Sequence, residues 1–132
     1  MDPVSAIALS GMNAASLKVQ SSASNLANMD DTAPLPGSGV AGPKPYAPTH
    51  VSTISLGAGG VQAQLQATSP GYAAAPDPGS PYANQAGMVA LPNVDVAGEM
   101  VDQAMALAQF RASVMTLNAE DKMRKSALDI LR

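Results

Sequence analysis

The chain has 132 residues and a mass of 13.3 kDa, room for one ordinary domain and none for a multidomain enzyme. Twenty-five residues are alanine, and Tyr46, Tyr72, Tyr82 and Phe110 are the only aromatics, so the apolar surface is small and aliphatic. With no cysteine there is no disulfide scaffold, thiolate metal site or cysteine nucleophile, and a net charge of −3 with few charges does not suggest a polyanion partner such as nucleic acid.

The longest apolar run is only five residues, far short of the roughly 20 that a membrane-spanning helix needs. Met1 to Gly11 lacks a basic region and a long apolar stretch, and Asp2 is acidic, so no cleavable signal is expected. The protein either stays in the cytoplasm or leaves by a route that reads no such signal.

Proline and glycine divide the chain into residues 1–32, 33–94 and 95–132. The middle part holds ten of eleven prolines and nine of eleven glycines but only two charges, Lys44 and Asp77. Such residues interrupt regular elements, so the flanks are expected to be helical and the middle to be turns, loops and short strands.

The first flank opens with Asp2 as a cap and Pro3 at the first helical position. Leu9, Met12, Ser16, Val19, Ala23 and Leu26 then recur at alternating steps of three and four, a heptad seam. The predicted helix runs from Pro3 to about Asn28, roughly 39 Å at 1.5 Å per residue. The polar run Asn28 to Thr32, followed by Pro34, ends it.

In the middle, Thr49 to Leu56 is β-branched and alternates, and Val61 to Gln66 alternates strictly. Gly57-Ala58-Gly59-Gly60 between them predicts a β-hairpin over about 49–66. A lone hairpin is marginal in water and needs a surface to lie on. Ala33–Pro48 and Thr68–Pro92 show no periodicity and are expected to be extended connections.

The second flank is capped by Asn93 or Asp95, with Glu99 and Asp102 near the positive end of the helix dipole. Its seam is Met100, Gln103, Leu107, Phe110, Val114, Leu117, Asp121, Arg124, Leu128 and Leu131. Glu120 with Arg124 and Asp121 with Lys125 have acid-first spacing of four, worth about 0.2–0.5 kcal/mol each. A helix over 96–131 would reach about 54 Å and outlast its N-terminal partner.

Catalytic chemistry finds little purchase. The carboxylates on the flanks have capping or helix-pairing roles, and His50 has no second histidine or cysteine to complete a metal site or a catalytic pair. Gly57 to Gly60 lacks the Lys-Ser/Thr of a phosphate loop. Lys122, Arg124, Lys125 and Arg132 are basic residues at the negative end of a helix. Catalytic, cofactor and metal sites are therefore expected to be none. What remains is association: alanine on several faces of both helices suits a helix packed among many neighbours.

Ser10-Gly11-Met12, Ser24-Asn25-Leu26-Ala27-Asn28 and Thr32 resemble the N-terminal motif of bacterial flagellar rod and hook axial proteins. Pro92-Asn93-Val94-Asp95, Glu99-Met100-Val101, Asn118, Lys122, Met123 and Ala127-Leu128 resemble the C-terminal motif of that family. Asp77-Pro78-Gly79-Ser80-Pro81, followed by Gly87-Met88-Val89, is similar to its proximal-rod members. There are departures. The family usually shows Tyr-Glu-Ala-Asn where this chain has Phe110-Arg111-Ala112-Ser113, a second asparagine where Ser24 stands, and basic residues after Tyr46 where this chain has Ala47-Pro48.

The resemblance implies a mainly α fold with a small β part, its long terminal helices paired as a coiled coil and joined by the Pro/Gly-rich middle. It implies a structural subunit of the proximal rod, the helical drive shaft in the periplasm that transmits torque from motor to hook. The implied partners are copies of the chain, other rod proteins, the motor-ring and export-gate base, and the flagellar type III export apparatus, with no cleaved signal. The seam residues Leu9, Met12, Val19, Leu26, Met100, Leu107, Phe110, Val114, Leu117, Leu128 and Leu131 become the expected subunit interface. Another axial component, or a small helical adaptor or export chaperone that binds a partner helix, also fits the residues.

Overall fold

A computed structural model describes residues 3–130. The cap expected from Asp2 and the last seam residue, Leu131, lie outside the described residues. Two helices carry most of the structure, and two small antiparallel sheets lie between them in sequence, a mainly α fold with a small β part.

The first helix, α1, spans Pro3–Ala27. It begins at the expected proline and ends where the Asn28 side-chain amide donates to the Ser24 carbonyl at 2.7 Å, holding the last turn. The first hairpin pairs β1, Thr49–Ser55, with β2, Val61–Ala67, in the register Val51 with Leu65 and Ser55 with Val61. Gly59 and Gly60 at its tip have φ of 90° and 86°, a region closed to most side chains, which is why the loop is rich in glycine.

That hairpin finds its surface on α1. A Cβ on Gly59 would lie 2.8 Å from Ile7 Cδ1, and one on Gly60 2.6 Å from Ser10 Oγ. At the other end, Ser21 Oγ donates to the Thr49 carbonyl at 2.7 Å. The helix thus crosses the hairpin from its tip to its base.

A second hairpin was not expected. β3, Tyr72–Pro76, pairs with β4, Met88–Pro92, and Ala33 adds a bridge to Ala90 through bonds of 3.1 and 2.8 Å. Tyr-Ala-Ala-Ala-Pro has neither alternation nor strong β propensity, and the connection from Asp77 to Gly87 is far longer than a tight turn. Asn84 organises that connection: its Oδ1 accepts from the Ala86 and Met88 amides at 2.9 and 3.0 Å. Pro76 and Pro92 fall in non-bonded pairs whose backbone nitrogens point away from the partner strand, so their missing N–H groups break no bond between β3 and β4.

The second helix, α2, spans Val96–Ile130. Asp95 immediately precedes it, accepts from the Glu99 amide at 2.9 Å, and folds its carboxylate over Gly98. α2 packs on α1 in the opposite direction, with Ser22 near Glu99 and Ser5 near Glu120. Buried side chains are small: Ala8, Ala14, Ala15 and Ala106 between the elements on α1, and Ala33, Val89 and Ala90 around the second sheet. The alanine content of the sequence is used here, because alanine lets backbones approach closely. Among the described residues, no helix is long and apolar enough to cross a membrane.

Candidate assembly surface

Asn25 anchors the elements to one another. It is 1% exposed, and its side-chain amide donates to the Thr49 carbonyl at 2.7 Å and to Glu99 Oε1 at 2.6 Å. Its Oδ1 accepts from the Thr49 amide and the Tyr46 hydroxyl, each at 3.0 Å. All four hydrogen-bonding positions of the amide are filled, the condition for burying such a group without penalty. One side chain therefore ties the end of α1 to the start of β1, the loop before it and the first turn of α2. Ser24 and Ser22 reinforce the junction, through Tyr46 Oη at 3.0 Å and the Glu99 carbonyl at 2.8 Å.

The other motif residues divide between turns and open surface. Asp77 donates its amide to the Gly87 carbonyl at 2.9 Å, and Pro78 lies against Gly87, whose φ is 71°. Gly79 follows in the same turn. Pro92 is buried, while Asn93 donates its amide to Gly71 at 3.1 Å and its side chain to Pro70 at 3.0 Å. Ala27, Asn118, Lys122 and Met123 are exposed.

Within the chain, the contact between α1 and α2 runs one residue to the side of the seam expected on α2. Ala8, Ala15, Ser22 and Asn25 face Glu99, Ala106, Ser113 and Glu120, with Phe110 and Leu117 filling the intervening positions. The physical reason is close approach plus polar exchange. Small side chains bring the backbones together, and Ser5 Oγ lies 2.8 and 2.7 Å from the two carboxylate oxygens of Glu120. Glu120, expected to pair with Arg124 on the helix surface, is instead turned inward and buried.

The larger aliphatic side chains are displaced to the flanks. Of the expected interface residues, Met12, Leu26, Phe110, Val114 and Leu117 are half-buried, whereas Leu9, Val19, Met100, Leu107 and Leu128 are exposed, Met100 at 59% and Leu107 at 46%. Val19, Leu107 and Phe110 line an apolar groove of ≈ 260 Å³ between the helices. Beyond Glu120, α2 continues past the start of α1, and residues 121–130 are exposed throughout. Ser5 was not singled out from sequence, and neither Tyr46, Thr49 nor Glu120 was read as a contact to a distant residue. Their partners are 21 to 115 residues away, and no local pattern marks such a pair.

A family model described as "Flagellar basal body rod FlgEFG protein C-terminal" matches residues 85–130, the second hairpin's last strand and α2. The flagellar basal-body rod protein FlgC of Escherichia coli O157:H7 is 34% identical over 132 residues, covering 94% of this chain and 92% of that one. The FlgC of Yersinia enterocolitica is 34% identical over 136 residues with the same coverage. That of Agrobacterium fabrum is 30% identical over 144 residues, 100% of this chain and 98% of the relative. The chain belongs to the flagellar basal-body rod protein family. Its rod-protein C-terminal match ends at Ile130, so it takes in the overhanging part of α2 as well as the part packed on α1.

Proposed function

We propose that the chain is a structural subunit of the flagellar proximal rod, built into the shaft by its two terminal helices. The observation that carries this reading is the division of labour on the helix pair. The inner seam of small and polar residues closes the pair on itself, leaving Leu9, Val19, Met100, Leu107 and Leu128 exposed. Large apolar side chains left exposed along both paired helices, with Val19 and Leu107 flanking one apolar groove, favour an interaction surface. Steps of three and four on both helices suit an antiparallel coiled coil, whose outer stripes meet neighbouring helices.

The near full-length relatives named as basal-body rod proteins favour this reading over a helical adaptor or export chaperone. The partners follow from it: copies of the chain, other rod proteins and the base on the motor ring and export gate, reached by flagellar type III export into the periplasm. The role is mechanical rather than enzymatic. The contacts of half-buried Glu99 with Asn25 and of buried Glu120 with Ser5 both join structural elements. Electron cryomicroscopy of purified basal bodies tests the assignment: density for this chain in the rod segment next to the motor ring is expected, and its absence from every rod segment overturns it.

A further inference from the structure

The β1–β2 hairpin has two open edges, and the hydrogen bonds show which backbone groups each edge presents. The Leu56 amide donates to the Gly60 carbonyl at 3.1 Å and the Thr68 amide to the Pro48 carbonyl at 2.8 Å. With the register of the ladder, these place the even-numbered residues in the bonded pairs and turn the N–H and C=O groups of the odd-numbered residues outward.

At two corners the outward groups are capped by α1. Thr49 is held by Asn25 and Ser21, and the Val61 amide donates to Ser10 Oγ at 3.1 Å. Val51, Thr53 and Ser55 on β1, and Ala63, Leu65 and Ala67 on β2, have no such partner among the described residues. Soluble proteins protect free edges with charge, proline or a covering element. Here there is no Asp, Glu, Lys or Arg between Lys44 and Asp77, and no proline between Pro48 and Pro70. Beside the β2 edge lies a groove of ≈ 470 Å³, bounded by Asn13, Leu17 and Gln20 of α1 and by Val61 and Ala63.

We infer that the β2 edge is a strand-addition site whose occupant is β1 of a second copy of this chain. This rests on the reading that copies stand side by side in the rod. Copies with a common direction would place the β2 of one antiparallel to the β1 of the next, the pairing the hairpin already uses. The contact is head-to-tail: each addition leaves one β1 edge and one β2 edge open, which propagates a helical array instead of closing a dimer. Both edges are neutral, so no like charges oppose each other across the join. Backbone ladders supply the affinity in such additions.

The test uses the natural absence of cysteine. Full-length Thr53→Cys and Leu65→Cys chains are co-produced, basal bodies are purified, and a short bis-maleimide is applied. A cross-linked dimer containing one chain of each type is expected. Leu65→Pro removes an outward N–H while sparing the hairpin's own ladder. Introduced into a chain that carries Ala63→Cys in place of Leu65→Cys as the attachment point on the same β2 edge, and co-produced with the Thr53→Cys chain, it should lower the mixed dimer roughly tenfold, as losing about one net hydrogen bond would. Basal bodies that contain both chains but yield no mixed dimer, or in which Leu65→Cys links only to a different protein, overturn the strand pairing and leave the rod assignment standing. Absence of both chains from basal bodies overturns the rod assignment, and this inference with it.

Discussion

Gly11 of α1 faces Ser113 of α2 so closely that a Cβ on the glycine would lie 3.0 Å from the serine Oγ. A side chain larger than hydrogen at position 11 therefore meets α2 directly. Gly11→Leu is expected to lower stability by about 1–3 kcal/mol through overpacking. Gly11→Ala combined with Ser113→Ala relieves the contact and gains up to about 1 kcal/mol from helix propensity. Urea unfolding of the three chains (the parent and the two variants), followed by circular dichroism, measures both.

Asn25 offers a sharper test, because each of its atoms has an assigned partner. Asn25→Ala leaves the Thr49 amide and the Glu99 carboxylate short of partners and is expected to cost about 2–3 kcal/mol. Asn25→Asp puts a carboxylate where a donor stood, 2.6 Å from Glu99 Oε1, and should be at least as damaging. Adding Glu99→Gln restores a donor to that contact, so the double variant should recover part of the loss in the same unfolding measurement.

Ser5 and Glu120 form a single coupled unit. Ser5→Ala removes the hydroxyl from a carboxylate that is 5% exposed and should cost about 1.5–3 kcal/mol, the range for bonds to charged groups. In a Glu120→Met background the same serine change should cost a few tenths of a kcal/mol at most, because there is no buried charge left to satisfy. A double-mutant cycle that shows no coupling would contradict the geometry.

Leu107 and Leu117 separate assembly from folding. Leu107 is exposed beside the interhelical groove, so Leu107→Asp should leave thermal unfolding within about 0.5 kcal/mol of the parent while blocking rod incorporation. Leu117 is half-buried between the helices, and Leu117→Asp should lower stability as well as incorporation. Motility assays and basal-body blots read the first effect, and unfolding reads the second.

Residues 121–130 make up the part of α2 with no α1 beneath it. A helix held only by its own bonds opens readily, so amide exchange in this stretch should be fast in the free protein and slower in the rod. Equal protection from 99 to 130 in the free chain would argue against the overhang.

Both helices and the first hairpin were legible because their signals are local. Pro3 and Asp95 mark starts, steps of three and four mark faces, and Gly57 to Gly60 marks a turn. The second hairpin was not, since its strands are alanine-rich and its Asn84-centred connection is long. On the helix surface, the expected seam mixed small and large aliphatic side chains; Phe110 and Leu117 of it lie between the helices, while the closest contacts fall on small residues one step aside, such as Ala106 and Ser113. Hydrophobic spacing identifies an apolar stripe without saying whether the stripe meets its own chain or another. The Asn25 junction was visible only as a motif residue. Its partners are set by tertiary geometry that no spacing rule encodes.

The hydrogen bond between Ser5 and Glu120 spans 115 residues. A polypeptide delivered gradually from its N-terminus would hold the first half of that contact for nearly the whole of its passage before the second half arrived. The hairpins, whose partners are near neighbours, could form early, whereas the helix pair must wait for the far end of α2. Closure of the Ser5 end of the pair is thus a record that the intervening chain has been received, and a copy cut short before Glu120 would leave the first turns of α1 unmatched.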